Sequence, residues 1–397
     1  MLFDPPSHQR LTERPWDEPR VRGAIAAIAA DAEAAFDEIS LWPAHPHDEE
    51  VGPLPRLASL YLGASGVIWA LHELERVGAA ELRRDWAPVA ESLAKHYLSR
   101  PDFEGLVEGP VPSLWMGEAG ILLVAHTLAP AAWQEERLLE AVRANAANPS
   151  WELMWGSPGT MLAAQFMARR TGADVWREAW HESADLLWAE WRDDLWLQDL
   201  YGSRVHILGP AHGFAGNVWA LAGGDLLEPT RRTELERRAV AAAARYATRS
   251  DGLAQWPMSL EPREGKSQEV RTQWCHGAPG IVTSLATIAP RDERFTDLLD
   301  AGGELTWQAG PLAKGAGLCH GTAGNGYAFL KLFERTGNEL WLERARAFAM
   351  HAIEQVEQAT ATYGRGRYTL WTGDPGTALF LHGCLTATAT FPTLDHL

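Results

Sequence analysis

The hydrophobic positions of this chain fall into two alternating kinds of segment. Long stretches, such as residues 231–249 and 338–359, place apolar and charged residues at the spacing of a helix with one buried face. Shorter runs of Ala, Leu, Val and Ile carry few charges, as expected of helices buried on most sides. Patterns typical of strands are scarce. The sequence therefore predicts an all-α protein in which buried and surface helices alternate.

Each short apolar run begins at a Gly-x-x-Gly motif. Seven copies occur at intervals of 39 to 64 residues, and one alone would be a weak signal. Three copies carry Pro in the third position, where the first turn of a helix tolerates the missing N–H donor. Each unit is thus interpreted as one buried helix plus one surface helix. The copies start at Gly63, Gly117, Gly156, Gly213, Gly277, Gly321 and Gly373.

Seven helical hairpins can build either an open solenoid or a closed ring. Because the glycine-marked ends of the inner helices would collect at one rim, we predict a closed α/α toroid around a small central cavity. Residues 1–397 are expected to form a single domain, with the seven repeats in residues 57–397. Residues 1–56 form an N-terminal segment, and its helix, roughly Val21 to Ile39, is expected to pack outside the ring.

The charge and the cysteine content narrow the class of protein. Thirty-five basic residues against 52 acidic ones give a net charge of −17, which argues against nucleic acid and anionic membranes as main partners. No apolar run approaches the roughly 18 residues of a membrane span, so no membrane insertion is expected. Three cysteines and a polar, Pro-rich start that does not resemble a signal peptide predict a cytoplasmic protein.

Two of the three cysteines occur in matched Cys-His-Gly motifs, "QWCHGAPG" and "GLCHGTAG". A single free cysteine is usually a small buried hydrophobe, but Cys275, His276, Cys319 and His320 together offer four ligands that suit zinc. Four bound ligands would make a closed structural site, and three would leave a position for water or substrate. Because the pairs lie 44 residues apart and a core of this size needs no metal to fold, we favour an open Cys₂His site.

His212 stands directly before the first glycine of the fourth repeat. His276 and His320 hold the same position in the fifth and sixth repeats. On a closed ring these three positions face one cavity, so His212 is a candidate general acid or base beside the metal. A histidine that only caps a helix is the alternative.

Two charged residues each lie four positions before a residue of a repeat motif. Arg271 precedes Cys275 by four residues and is a candidate to hold an anionic group or an enolate, although a solvated loop charge is the alternative. Glu152 precedes Gly156 by four residues and is a candidate to orient a histidine.

The motifs "WCHGAPG", "GLCHGTAGNGYAFL" and "AHGFAG", on a seven-fold Gly-x-x-Gly repeat, resemble the lanthionine synthetase C-like family from about Leu57 onward. The resemblance implies an α/α toroid with a zinc ion at the centre of its cavity. Cyclases of that family activate a peptide cysteine on zinc, as a thiolate, and add it to dehydroalanine or dehydrobutyrine to give a thioether. Eukaryotic relatives bind glutathione and add it to dehydrated side chains.

The resemblance also implies roles for individual residues. It implies that Cys275, Cys319 and His320 bind zinc, that His212 transfers a proton, and that Arg271 stabilises an enolate or the substrate.

Three further positions are less directly matched to the family. Glu152 falls where peptide cyclases carry an aspartate. His276 falls where some cyclases have tyrosine, which suggests a catalytic neighbour of the ligands and not a ligand. Lys314, five residues before Cys319, matches a lysine that the glutathione-binding branch uses near its substrate, which favours the stand-alone branch; a solvated loop lysine is the alternative.

Two other functions remain open at this point. Nineteen tryptophans would suit a glycan-active α/α barrel, and Trp274, next to Cys275, is predicted to contact substrate, with helix-end packing as its alternative. Sugar chemistry, however, gives no reason for matched Cys-His pairs. A zinc-bearing protein that binds thiol or glutathione without catalysis is the second alternative.

Overall fold

Fourteen α-helices and two short β-hairpins make up the described part of the chain. The computed structural model describes residues 2–48, 56–103, 111–261, 270–287 and 293–397. Seven inner helices each begin directly after the first glycine of a Gly-x-x-Gly motif, as predicted. They are α2 (Ala64–Arg76), α4 (Glu118–Leu128), α6 (Ser157–Thr171), α8 (Phe214–Ala222), α10 (Ala278–Leu285), α12 (Thr322–Thr336) and α14 (Asp374–Thr386).

Seven longer or more polar helices surround the inner ones. They are α1 (Glu18–Ala34), α3 (Ala87–His96), α5 (Ala132–Asn145), α7 (Asp174–Ala189), α9 (Pro229–Tyr246), α11 (Glu293–Ala309) and α13 (Glu339–Tyr363). Two antiparallel hairpins interrupt this alternation. They consist of β1 (Gln198–Leu200) with β2 (Ser203–Val205), and of β3 (Thr248–Ser250) with β4 (Leu253–Gln255).

The inner helices close into a ring. Each one contacts the next along the chain, and α14 returns to contact α2. Every surface helix packs against at least one inner helix, so the wall of the ring is two helices thick. The predicted all-α toroid is therefore confirmed.

The surface helix that packs beside α14 comes from the other end of the chain. It is α1, which contacts α14, α13 and α2. It lies outside the ring as expected, but it begins at Glu18 because the side chain of Asp17 accepts the backbone N–H of Arg20, and it ends at Ala34. The predicted span, Val21 to Ile39, therefore begins and ends too far toward the C-terminus compared with the helix in the structure.

The second glycine of every motif lies against the backbone of the preceding loop. In the sixth repeat a Cβ atom on Gly324 would overlap the carbonyl oxygen of Leu318 and touch the Trp274 side chain. The second glycines of the other six repeats meet an equivalent carbonyl. These glycines are required because only a residue without a side chain lets the helix and the loop approach so closely.

Backbone hydrogen bonds link neighbouring loops at the inner edge of the ring. In five of the repeats they involve the residue two positions before the first glycine, which we call the inner-ring position. The N–H of Tyr61 donates to Trp115 (2.9 Å), that of Trp371 to Tyr61 (3.3 Å), that of Cys319 to Trp371 (2.8 Å) and that of Cys275 to Cys319 (3.0 Å). Both cysteines therefore stand side by side on one hydrogen-bonded run.

Aromatic side chains fill the centre of the ring. Trp115 and Trp371 have ring centroids 4.4 Å apart, and Trp274 lies 4.9 Å from Trp371. Phe391, in the segment after α14, stacks on Trp274 at 5.2 Å. All four side chains are fully buried, so this cluster is a packed apolar core.

No helix among the described ranges is both long enough and apolar enough to cross a membrane.

We expect Gly324→Ala to lower the free energy of unfolding by about 3 kcal/mol or more, because the new methyl group has no room against the loop that carries Leu318. Gly23→Ala, in α1, is the control. Nothing lies within 4 Å of its Cβ position, and alanine favours a helix by about 1 kcal/mol over glycine. Urea denaturation followed by circular dichroism measures both, and equal midpoints for the two variants would contradict the close-approach explanation.

Candidate metal centre and cavity

Two cysteines and one histidine converge at the inner edge of the fifth and sixth repeats. The Sγ atoms of Cys275 and Cys319 and a ring nitrogen of His320 all lie within 4.8 Å of one another. Both cysteines are buried and unpaired, while His320 is half-buried. Two thiols and an imidazole are the donors that zinc prefers, at bond lengths of about 2.0–2.3 Å. These three side chains therefore fit a single zinc ion with a fourth position open.

Each cysteine has a polar neighbour that orients its sulfur. The side-chain amide of Gln273 donates to the Sγ of Cys275 at 2.9 Å. The hydroxyl of Tyr61 forms a hydrogen bond with Cys319, and burial followed by the nearby cysteine charges raises the pKa of Tyr61 well above its usual range. Tyr61 is thus kept as a proton donor toward sulfur. Donors of this kind hold metal ligands in place.

The two thiols share one environment and titrate as a pair. Burial, and then the hydrogen bond and charge of Cys275, raise the pKa of Cys319 well above its usual range. Burial would also raise the pKa of Cys275, but the hydrogen bond from Cys319 and the charges of His276 and His320 lower it well below that range. The neighbours of the two thiols thus shift their pKa values in opposite directions.

A cavity of about 770 Å³ is lined by His276, the residue that follows Cys275 in the chain. Its lining includes His212, His276 and Arg271, three of the residues that the sequence singled out. The rings of His212 and His276 stack with centroids 5.9 Å apart at 27°. With Arg204, four side chains able to carry positive charge line this cavity, together with the carboxylate of Glu261.

His212 is held by Glu152 across the third and fourth repeats. The Nδ1 atom of His212 lies 2.9 Å from the Oε2 atom of Glu152, which has no exposed surface. The same carboxylate accepts the backbone N–H groups of Met154, Trp155 and Gly156 at the start of α6. Backbone donors at a helix start stabilise the ionised carboxylate. With Nδ1 donating to Glu152, the Nε2 atom of His212 is left for proton transfer.

Lys314 and Trp274 lie away from this cavity. Lys314 lines a separate cavity of about 210 Å³ that it shares with Thr372, although its positive charge opposes the raised pKa of Cys319. Trp274 has no exposed surface, because it packs between Trp371 and Phe391. Trp274 therefore has a packed position in this structure, and its role as a substrate contact stays a prediction.

Three residues beside the site escaped the sequence analysis. Tyr61 occupies the inner-ring position of the first repeat, so aligning the repeats on their glycines would have found it. Gln273 and Tyr201 had no such signal. Tyr201 stands at the tip of a hairpin whose strands have three residues each, too short for a recognisable strand pattern.

Comparisons with known proteins agree with this geometry. The family model described as lanthionine synthetase C-like protein matches residues 55–395. LanC-like protein GCL1 of Arabidopsis thaliana is 30% identical over 254 residues, which are 57% of this chain and 53% of that protein. Glutathione S-transferase LANCL1 of Danio rerio is 31% identical over 205 residues, 50% of this chain and 47% of that protein. The matches therefore span about half the length of these curated relatives.

A solved structure shows the same fold. Nisin cyclase superposes with a TM-score of 0.56 at 15% sequence identity, covering 93% of this chain and 100% of that one. At this identity the likeness concerns the fold alone. The family model covers most of the chain, including both Cys-His-Gly motifs and all seven glycine motifs. The chain belongs to the lanthionine synthetase C-like family.

Proposed function

We propose that this protein binds a zinc ion through Cys275, Cys319 and His320 and adds a thiol to a dehydrated residue of a peptide, forming a thioether. The observation that carries the proposal is a Cys₂His cluster whose neighbour in the chain, His276, stacks on the Glu152-held His212 and lines the same cavity with it. A ligand set with one open position suits a site that takes up substrate. When bound there, zinc would lower the pKa of an incoming thiol so that it reacts as a thiolate at neutral pH.

The reaction needs no oxidant or reductant. A bond forms between the thiol sulfur and the β-carbon of dehydroalanine or dehydrobutyrine, the carbon–carbon double bond becomes single, and the thiol proton ends on the α-carbon. His212 suits the transfer of that proton, because Glu152 fixes its tautomer. Arg271 suits the enolate oxygen that develops on the neighbouring carbonyl. His276, stacked on His212, limits the orientations of that imidazole.

Glutathione is the first thiol to test. One relative carries the name glutathione S-transferase, and Lys314 places a positive charge in a small cavity close enough to influence Cys319. A negatively charged thiol would be attracted to that charge. A cysteine within the dehydrated peptide itself is the other source of thiol, and it would make the product cyclic. A protein that binds thiol without turnover is separated from both by the assays below.

We expect the purified protein to hold one equivalent of zinc and the Cys319→Ala variant to lose most of it, because the remaining two ligands bind too weakly. Cys384→Ala is the matched control, since Cys384 is also buried and unpaired but stands outside the cluster. Zinc is measured by elemental mass spectrometry after dialysis against a weak chelator. Equal zinc contents in the two variants would contradict the ligand assignment.

We expect His212→Asn to slow thioether formation by roughly 10²- to 10⁴-fold while zinc content stays at the wild-type level, because the variant keeps the ligands but loses the proton-transfer group. The measurement is mass-spectrometric detection of the adduct between glutathione and a dehydroalanine peptide. A Cys275→Ala variant provides the background rate. Wild-type protein that produces no adduct above that rate would contradict catalysis with this substrate pair.

We expect Glu152→Gln to slow the same reaction at least tenfold, because a neutral amide no longer fixes the His212 tautomer. The double variant with His212→Asn separates orientation from general damage. If Glu152 acts through His212, the second substitution adds little to the first. Fully multiplicative losses would show that Glu152 acts elsewhere.

A further inference from the structure

The hairpin formed by β1 and β2 makes one wall of the 770 Å³ cavity. Its residues Leu200, Tyr201, Ser203, Arg204 and Val205 all line the space in front of His212. Met258 and Arg271 line the same cavity. A substrate group that occupies this cavity therefore has the hairpin residues within reach.

The turn of this hairpin has an unusual first residue. Tyr201 and Gly202 have φ angles of 53° and 73°, a left-handed pair that glycine, asparagine and aspartate adopt most easily. The hairpin of β3 and β4 turns through Asp251 and Gly252 with φ angles of 53° and 78°. The same backbone geometry is thus built there with a favoured residue pair. The geometry of the turn therefore does not explain a tyrosine at position 201. A residue that is kept in an unfavourable backbone conformation indicates that its side chain has a function.

The side chain of Tyr201 is pinned in place and still open to solvent. Its hydroxyl accepts the indole N–H of Trp155 at 2.9 Å, and its ring meets His212 edge-on at 5.9 Å. Trp155 and His212 are the residues directly before the first glycine in consecutive repeats, so Tyr201 bridges two positions on the rim. Even so, 70% of the residue is exposed. A large aromatic ring held rigid and exposed is a ready contact for an apolar group.

We propose that Tyr201 is a specificity-determining residue that contacts the apolar side chain flanking the dehydrated residue. This inference rests on the proposed function. The ring of Tyr201 meets His212 edge-on, so a dehydrated residue placed beside His212 brings its neighbouring residue within reach of that exposed ring. The site would then favour peptides with phenylalanine or leucine beside dehydroalanine over peptides with glycine there.

The test uses two dehydroalanine pentapeptides, flanked by phenylalanine or by glycine, with glutathione as the thiol. In the Tyr201→Asn variant we expect kcat/KM for the phenylalanine peptide to fall about tenfold further than for the glycine peptide, because one aromatic contact is lost. Tyr201→Phe keeps the ring and should retain most of the preference. Asp251→Asn, at the equivalent turn, should leave the preference at the wild-type value.

Folding is not expected to obscure this result. Asparagine suits the left-handed turn better than tyrosine, so the Tyr201→Asn variant should unfold at the wild-type temperature or above. Equal losses for both peptides would overturn the proposal, as would an unchanged preference.

A binding measurement keeps this inference separate from catalysis. The phenylalanine pentapeptide with alanine in place of dehydroalanine cannot react, and its affinity is measured by isothermal titration calorimetry. We expect about tenfold weaker binding to Tyr201→Asn than to the wild type, whether or not the wild type turns over the reactive peptide. Unchanged affinity would overturn the role of Tyr201 even if thioether formation is observed. Absence of turnover together with Tyr201-dependent binding would overturn only the proposed reaction.

Discussion

The short backbone hydrogen bonds between neighbouring loops are the constraint on which this structure depends. The inner-ring residues of five repeats donate or accept across to a neighbouring repeat, and the bond from Cys275 to the carbonyl of Cys319 fixes the two residues as neighbours. This arrangement requires the backbone of each helix start to lie in direct contact with the backbone of the loop before it. The second glycine of every motif makes that approach possible, since any side chain would overlap a carbonyl of the loop. The repeated glycines therefore allow the same close approach that places the two cysteines of the candidate metal centre side by side.

A cluster of buried aromatic side chains occupies the centre of the ring. Trp115, Trp274 and Trp371 fill the space among the inner helices, so the cysteines have apolar packing on that side. Burial raises the pKa of a thiol, and at Cys275 the hydrogen bond from Cys319 and the charges of His276 and His320 oppose this effect. The apolar surroundings and the neighbouring polar groups therefore shift the pKa of Cys275 in opposite directions.

The repeats are alike in backbone but not in chemistry. Directly before the first glycine, the fourth, fifth and sixth repeats carry His212, His276 and His320, whereas the first two carry Leu62 and Met116. The third repeat instead supplies Glu152 from its loop, which reaches His212 in the next repeat. One sector of the ring is thus specialised, and the remaining repeats provide the closure that holds it. This division explains why a large fold supports a small site.

The sequence by itself determined the helical repeat, the closed ring, and the family to which the chain belongs. The helical period of the hydrophobic residues and the spacing of the glycines are local properties, so the sequence alone is enough to recognise them. The Cys-His-Gly motifs were also recognised in the sequence. The structure brings Cys275, Cys319 and His320 close enough together to bind one ion. Only the tertiary structure decided what surrounds them. Tyr61 reaches Cys319, and α1 joins α14, across most of the chain length, because ring closure joins the two ends of the repeat.

Burial was likewise decided by the tertiary structure. Trp274 stands next to a ligand in sequence, yet its side chain points into the packed centre, because consecutive residues of a loop face opposite sides. Lys314 lines a second cavity. Tyr201 lines the 770 Å³ cavity from a hairpin whose strands are too short to show a strand pattern in the sequence. Residue type and spacing identified the chemistry of the metal ligands. The partners that tune this chemistry come from other repeats, and only the closed ring brings them together.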